Sequence, residues 1–258
     1  RLIPLSIELK LAALKFHEEG IRCKPGTLRH QAVRGAVSYV QTRELAEAVK
    51  RARRLPNYMR RMPLTADPSY MPWGTGFAKE VTFNVQLPGS RLLADEQRKM
   101  ITEEALHAVG TRDLELWTDG SVKTETRQSS GAALIFAPND QEALWTMTAP
   151  AGTLACSYRA ETVAMQIGLD GLLRFLQTRR DAGRPHILIA TDSQSLLQKL
   201  NTGPLRADDY GSQKLWNSIQ RLCTRHGCKL TFQFVYSHCG VVRNDMADKL
   251  ADEAMMRY

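Results

Sequence analysis

The sequence predicts an α/β protein, with a five-stranded mixed sheet flanked by helices and preceded by a basic, mostly helical N-terminal segment. Three observations lead there. The C-terminal half alternates β-like and helical stretches in the order βββαβααβα, which gives a sheet antiparallel at one side and parallel with helical crossovers at the other. Positive charge is concentrated in residues 1–110, which hold 18 Lys+Arg and 11 Asp+Glu, against 17 and 16 in residues 111–258. Four acidic residues of the second half, Asp119, Glu161, Asp192 and Asp248, sit at apolar-run ends or on helices.

A chain of 258 residues suits two modest units better than one large core. The charge division sets the expected boundary, with a basic connection segment over 1–110 and an α/β domain over 111–258.

In the first segment, Ile7, Leu11 and Leu14 recur at helical spacing until Gly20 stops the pattern. Thr42 is a good N-cap for a second helix reaching about Leu55, with Leu45 and Val49 on one face. That helix and the residues after it carry Arg51, Arg53, Arg54, Arg60 and Arg61. From Pro56 to Pro88, five prolines, five aromatics and little periodicity predict an extended connection. A third helix fits Ala94–Val109, ended by Gly110.

In the second segment, the runs Leu114–Thr118, Ala132–Ala137 and Ala143–Thr148 are separated by polar, Gly- or Pro-containing turns and predict an antiparallel meander. A long helix follows over Ser157–Thr178, then a strand over His186–Thr191. Helices near Ser195–Leu200 and Gly211–His226, a strand at Lys229–Tyr236 and a helix over Asn244–Met256 complete the order.

Composition excludes several classes. Cys23, Cys156, Cys223, Cys228 and Cys239 are odd in number, and Cys223/Cys228 lacks the second half of a zinc site. Reduced thiols in an intracellular protein are expected. No apolar run approaches a membrane span and no signal-peptide pattern opens the chain, so neither membrane insertion nor secretion is expected. Because Arg1 stands first, the chain is expected to be a fragment or a processed product of a longer one.

The four acids suit one chemistry. Phosphodiester hydrolysis needs an activated water, an in-line leaving oxygen and neutralisation of charge on phosphorus oxygens, and two divalent ions about 4 Å apart supply all three. Mg²⁺ takes oxygen ligands and keeps several waters, so a few carboxylates suffice. Asp119, in Leu114-Glu115-Leu116-Trp117-Thr118-Asp119-Gly120, is expected to end the first strand and open a turn. Asp192 ends a neighbouring strand, where α/β active sites collect. Glu161 is placed in a first helical turn and Asp248 in the first turns of the last helix, with Asp245 as a charge favoured by the helix dipole. Taken singly, each acid is more often a turn residue, a cap or a solvated helix charge. Together, in order and in context, they are not.

This ordered set resembles the type I ribonuclease H family from about Asp113 to the C-terminus. Thr118-Asp119-Gly120-Ser121 resembles its first-strand motif, Arg159-Ala160-Glu161 its helix motif and Thr191-Asp192-Ser193-Gln194 its third. Ser237-His238-Cys239-Gly240 followed by Asn244-Asp245-Met246-Ala247-Asp248 resembles its final pair. The resemblance implies metal binding by Asp119, Glu161, Asp192 and Asp248, and a mobile-loop role for His238 in proton transfer or product release. The implied cofactor is two Mg²⁺ ions, with Mn²⁺ as a substitute, and the implied substrate is an RNA·DNA hybrid. The expected substrate contacts are Gly120, Ser121 and Gln194, together with Arg53, Arg54, Arg60 and Arg61 on the phosphate backbone.

The departures narrow the resemblance. Ser157 and Tyr158 stand where the family often has Asn-Asn, and Ser237 stands where many cellular members have Gly. No basic, Trp-rich handle lies between Asn201 and Trp216, and no N-terminal hybrid-binding module is evident. With Cys239-Gly240-Val241, these variants are most similar to ribonuclease H domains of non-long-terminal-repeat retrotransposons. That similarity implies a polyprotein with an upstream reverse transcriptase, residues 1–110 as its thumb or connection, and a nuclear location. The alternative reading is a ribonuclease H-like domain retained as an RNA-binding or scaffold subunit of a ribonucleoprotein, since fold does not fix function. A third, an integrase or resolvase on the same fold, is disfavoured by the Arg-x-Glu and Thr-Asp-Ser contexts.

Overall fold

Six strands, not five, form the sheet. The additional one, β1 (Val81–Asn84), lies in the stretch expected to be an extended connection, and it pairs in parallel with the last strand, Val81 opposite Leu230 and Asn84 opposite Gln233. Val-Thr-Phe-Asn is too short to show a period, but its β-branched and aromatic residues fit a pleated, half-buried edge. This computed structural model describes residues 74–89, 92–123, 128–152, 156–178, 183–207 and 209–256, which belong to one compact unit, Ser69–Tyr258. The helices expected over 7–20 and 42–55, the arginine cluster and Cys23 lie outside the described residues.

After β1 come α1 (Asp95–Ala108), β2 (Leu114–Lys123), β3 (Gln128–Phe136), β4 (Trp145–Pro150) and α2 (Ser157–Thr178). Then follow β5 (His186–Thr191), α3 (Gln194–Asn201), α4 (Tyr210–Arg225), β6 (Lys229–Phe234) and α5 (Val242–Met255). The strand order is β1-β6-β5-β2-β3-β4, parallel from β1 to β2 and antiparallel from β2 to β4. The mixed sheet therefore has the two-sided character expected from the element order.

Burial explains why β5 reads as a nearly continuous apolar run and why β2 and β6 are rich in apolar residues. Leu114, Leu116 and Trp117 of β2, Ile187 to Ala190 of β5, and Leu230, Phe232 and Phe234 of β6 are all buried. Helices cover both faces, as expected for such strands. α2 presents Ala160, Ala164, Gly168, Leu172 and Leu176 at helical spacing toward β2 and β3. α4 packs beside α2, where Ser218 Oγ accepts from Gln166 Nε2 (3.1 Å) and donates to Asp170 (2.9 Å).

α5 lies on the other face, as the neighbouring residues of β2 and β3 show. Gly120 and Gly131 meet α2, whereas the next residue of β2, Ser121, and the one before Gly131, Ser130, bond to α5. Successive strand residues point to opposite faces.

The edge strand is anchored by aromatic packing. Phe83 stacks on Phe232 with ring centroids 4.7 Å apart, and it meets Trp216 edge-on at 5.9 Å. Phe77, in the 3-10 turn Thr75–Glu80, meets the same Trp216 at 5.9 Å. Asn84 Nδ2 donates to Gln233 Oε1 at 2.8 Å.

Candidate metal centre

The register of the parallel strands places the first two carboxylates. β2 pairs with β5 from Leu114↔Ile187 to Thr118↔Thr191, and the pairing stops there. Asp119 follows within β2 and Asp192 is the first residue past β5, so both stand at the carboxyl end of the parallel pairing, where such folds form crevices. Asp119 does not open a turn, however. β2 continues to Lys123, paired with β3 throughout, so Asp119 sits mid-strand and is held more rigidly than a strand-end residue.

The third carboxylate depends on a close approach of helix to sheet. Gly120 and Gly131 are cross-strand partners. A Cβ on Gly120 would lie 2.3 Å from the Glu161 amide nitrogen, and one on Gly131 would lie 2.6 Å from that of Ala164. Without side chains at this pair, α2 seats directly on the backbone of β2 and β3, which carries Glu161 to Asp119. Glu161 is the fifth residue of α2, in its second turn rather than its first.

The resulting cluster is tight and mostly dry. Asp119, Glu161 and Asp192 each offer a carboxylate oxygen within 4.8 Å of the others, and Asp119 and Glu161 are 5% and 6% exposed. Burial, then the charges of Asp192 and Asp248, push the Asp119 carboxyl up to about 8. Glu161 is raised well above the usual carboxylate range, first by burial and then by the charges of Asp192 and Asp119. The Gly120 N–H opposes both shifts, and it donates to Asp119 Oδ1 at 2.7 Å. Buried like charges this close are costly unless a cation neutralises them.

Asp248 comes from α5, which several bonds fix on the sheet. Ser130 Oγ donates to the Ala251 carbonyl and Ser121 Oγ to Asp252 Oδ1, each at 2.5 Å. At the start of the helix, Arg243 pairs with the buried Glu115, which also accepts from Trp117 Nε1 (2.8 Å) and Arg112 Nε (2.6 Å). Arg243 further donates to the carbonyls of Pro138 (2.9 Å) and Asp140 (2.6 Å) and lies over the Phe136 ring. Asp248 is not one of the three oxygens within mutual reach, but its charge acts on Asp119 from the α5 side.

His238 stands in the loop between β6 and α5, its side chain 71% exposed, with Nδ1 3.5 Å from Asp248 Oδ2. Its φ of +49° is the one left-handed non-glycine backbone among the described residues.

The expected substrate contacts are placed unevenly. Gly120 serves as the seat for α2, Ser121 is bonded to Asp252, and the side-chain amide of Gln194 donates to the Val85 carbonyl at 3.0 Å. Arg53, Arg54, Arg60 and Arg61 lie outside the described residues. Two participants carry no sequence motif. Gly131 is visible only once its register with Gly120 is known, and Glu115 is marked solely as a charge inside an apolar run.

The donor set fits hard divalent ions. It is all-oxygen and anionic, and Glu161 Oε2 is buried with no hydrogen-bond partner. A buried, unpaired carboxylate oxygen on a member of a three-carboxylate cluster is what a bound cation would satisfy.

A family model for RNase H matches residues 111–256, more than half of the chain. The chain belongs to the RNase H family. It is a ribonuclease H by that membership, and its matched region contains all four carboxylates and His238. Comparison with curated proteins finds no match. Among solved structures, the RNase H domain is similar to the N-terminal RNase H domain of a Mycobacterium tuberculosis protein at 18% identity and TM-score 0.43, covering 57% of this chain and 96% of that one. It is similar to LC11 RNase H1 in complex with an RNA/DNA hybrid at 18% and TM-score 0.44, covering 56% and 97%. It is also similar to RNase H1 of the archaeon Halobacterium salinarum at 20% and TM-score 0.42, covering 56% and 98%. No described helix is long and apolar enough to cross a membrane.

Proposed function

We propose that this chain hydrolyses the RNA strand of RNA·DNA hybrids, cutting internally, with two divalent metal ions held by Asp119, Glu161, Asp192 and Asp248. The observation that carries the reading is the approach of three carboxylate oxygens to within 4.8 Å, one of them beside an unpartnered buried oxygen. When bound, Mg²⁺ or Mn²⁺ supplies an activated water and neutralises the phosphate oxygens. The protein's own residues do the rest. Asp119 within β2 and Asp192 just past the end of the adjacent β5 fix the ligand spacing, and Glu161 is set by the contact of α2 with Gly120. Exposed His238, beside Asp248, is placed to move a proton at the rim or to assist product departure.

In this reading the arginines of the basic segment 1–110 hold the nucleic-acid backbone and 111–258 is the catalytic part, with the residues from Ser69 onward in the same compact unit as that part. The Ser157-Tyr158, Ser237 and Cys239-Gly240-Val241 variants support an origin in a retrotransposon polyprotein, with a reverse transcriptase as neighbour and a nuclear site of action.

The test is cleavage of labelled hybrid, duplex DNA and duplex RNA by the full chain, with Mg²⁺, with Mn²⁺ and with chelator. Cleavage of the RNA strand of the hybrid alone, abolished by chelator, is expected. Equal cleavage of duplex DNA, or none of the hybrid, rejects the reading.

A further inference from the structure

The family match begins at residue 111, yet helix α1, which precedes it, is bonded to the loop that carries His238. α1 turns Arg98, Ile101, Thr102 and Leu106 inward at helical spacing. Two of these are polar, and both are spent on backbone groups next to His238. Arg98 Nη1 donates to the Ser237 carbonyl at 3.1 Å, and Thr102 Oγ1 accepts from the Tyr236 amide at 3.3 Å. Asp95 holds the other arm of the Arg98 guanidinium at 2.5 Å and so fixes the fork. The segment after β1 adds a third tie, the Tyr236 hydroxyl donating to the Pro88 carbonyl at 3.3 Å.

These ties converge on a turn whose own internal bond is a weak thiol one, Cys239 Sγ donating to the Tyr236 carbonyl at 3.3 Å. A left-handed non-glycine residue is strained and persists only where its surroundings over-determine it. His238 has φ +49°, and Gly240, two residues on, has φ +82°. On the far side the loop is held by α5, where the Asn244 and Asp245 amides donate to the Val241 carbonyl at 2.9 and 3.0 Å. Upstream of His238 the bond nearest to it comes from Arg98.

We infer that Arg98 is a positioning residue for His238: by holding the Ser237 carbonyl it fixes the left-handed turn that sets the imidazole beside Asp248. This rests on the reading of His238 given under the proposed function. It also makes α1, outside the family match, part of the working site. The bonds of the Arg98 guanidinium go to Ser237 and Asp95, neither of them one of the four site carboxylates. It acts through the loop alone.

The test is a double-mutant cycle in the full chain on hybrid substrate, combining Arg98→Gln with His238→Ala, with Arg98→Lys as the conservative variant. Arg98→Gln should lower kcat about tenfold, the scale of a small misplacement of a reacting group, with little change in KM. Arg98→Lys should recover part of that loss, and in the His238→Ala background Arg98→Gln should have almost no further effect. Glu103→Gln, an exposed change on the same helix, should leave kcat unaltered. If Arg98→Gln does not fold, Thr102→Val enters the same cycle with the same expectations.

An independent readout is amide exchange across His238–Gly240, which Arg98→Gln should accelerate about tenfold, matching removal of one charged hydrogen bond. Unchanged exchange, unchanged kcat, or an equal loss in both His238 backgrounds overturns the inference. A wild-type chain that leaves hybrid uncut, with exchange still accelerated in Arg98→Gln, rejects the proposed function instead.

Discussion

Asp119 and Asp192 occupy equivalent positions on adjacent parallel strands, each one residue beyond the paired Thr118 and Thr191. Their separation is thus a property of the sheet register, not of side-chain choice. Asp119→Asn or Asp192→Asn keeps shape and hydrogen-bonding capacity but removes an anionic ligand. Each should reduce hybrid cleavage by about a hundredfold or more, the range seen when a group stabilising transition-state charge is removed. The same substitutions relieve like-charge repulsion, so thermal melting in chelator at pH 8 should occur at a higher temperature than in wild type. Loss of activity together with a lower metal-free melting temperature would count against a metal-centre role.

The raised carboxyls fix a pH dependence. Asp119 moves from its ordinary 3.8 to about 8, and Glu161 is also raised. A carboxyl with a raised folded-state value binds more protons folded than unfolded, so the stability it contributes is present below about pH 4 and is lost progressively toward pH 8. Metal-free protein should therefore lose stability across that interval, and Mg²⁺ should restore it most at the alkaline end, because binding favours the ionised cluster. Melting curves at several pH values, with and without Mg²⁺, check both signs. Equal Mg²⁺ stabilisation at pH 5 and pH 8 contradicts the assignment.

Gly120 is required by space. An added methyl would stand 2.3 Å from the Glu161 nitrogen and 2.4 Å from the Ala160 carbonyl carbon, both backbone atoms that cannot swing aside. Gly120→Ala should destabilise the fold by about 1–3 kcal/mol, the usual range for overpacking. It should also displace Glu161 and depress activity more than that stability change explains. Denaturant titration and kinetics on one preparation separate the two effects.

The parts legible in the sequence are those whose signal is local. α2 and β5 have the expected bounds because an amphipathic 22-residue helix and a buried, mostly apolar run each declare themselves. The order of the four acids is legible because each sits in a short motif. β1 is not, since four residues carry no period and its pairing with β6 joins positions almost 150 residues apart. Asp119 reads as a strand end because Gly120 looks like a turn residue. The glycine instead answers to α2, a neighbour no local window contains. The Glu115–Arg243 pair, 128 residues apart, is invisible for the same reason.

The basic cluster Arg53, Arg54, Arg60 and Arg61 supplies a separable expectation. The matched domain is close to charge balance, so backbone affinity is proposed to come from these arginines. Neutralising all four should weaken hybrid binding and flatten its log–log salt dependence by nearly one unit for each phosphate left without its arginine. Turnover of bound substrate should stay near wild type. Binding isotherms at several salt concentrations give the slope, and an unaltered slope assigns the cluster to another role.

β1 yields the final prediction. If Val81–Asn84 is an integral strand, its packing should be felt across the whole RNase H domain. Phe83 bridges Phe232 of the sheet and Trp216 of α4, and Asn84 and Val85 hold Gln233 and Gln194 beside the Asp192 turn. Phe83→Ala removes a half-buried aromatic from between them and should cost about 2–3 kcal/mol, below the 3–5 typical of a fully buried phenylalanine. The destabilisation should appear in a single unfolding transition that also reports on Trp117 and Trp216, because β1 and β2 belong to one sheet. Tryptophan fluorescence during urea unfolding reads it directly. An unshifted midpoint would mean that β1 is dispensable and that the sheet is complete with five strands.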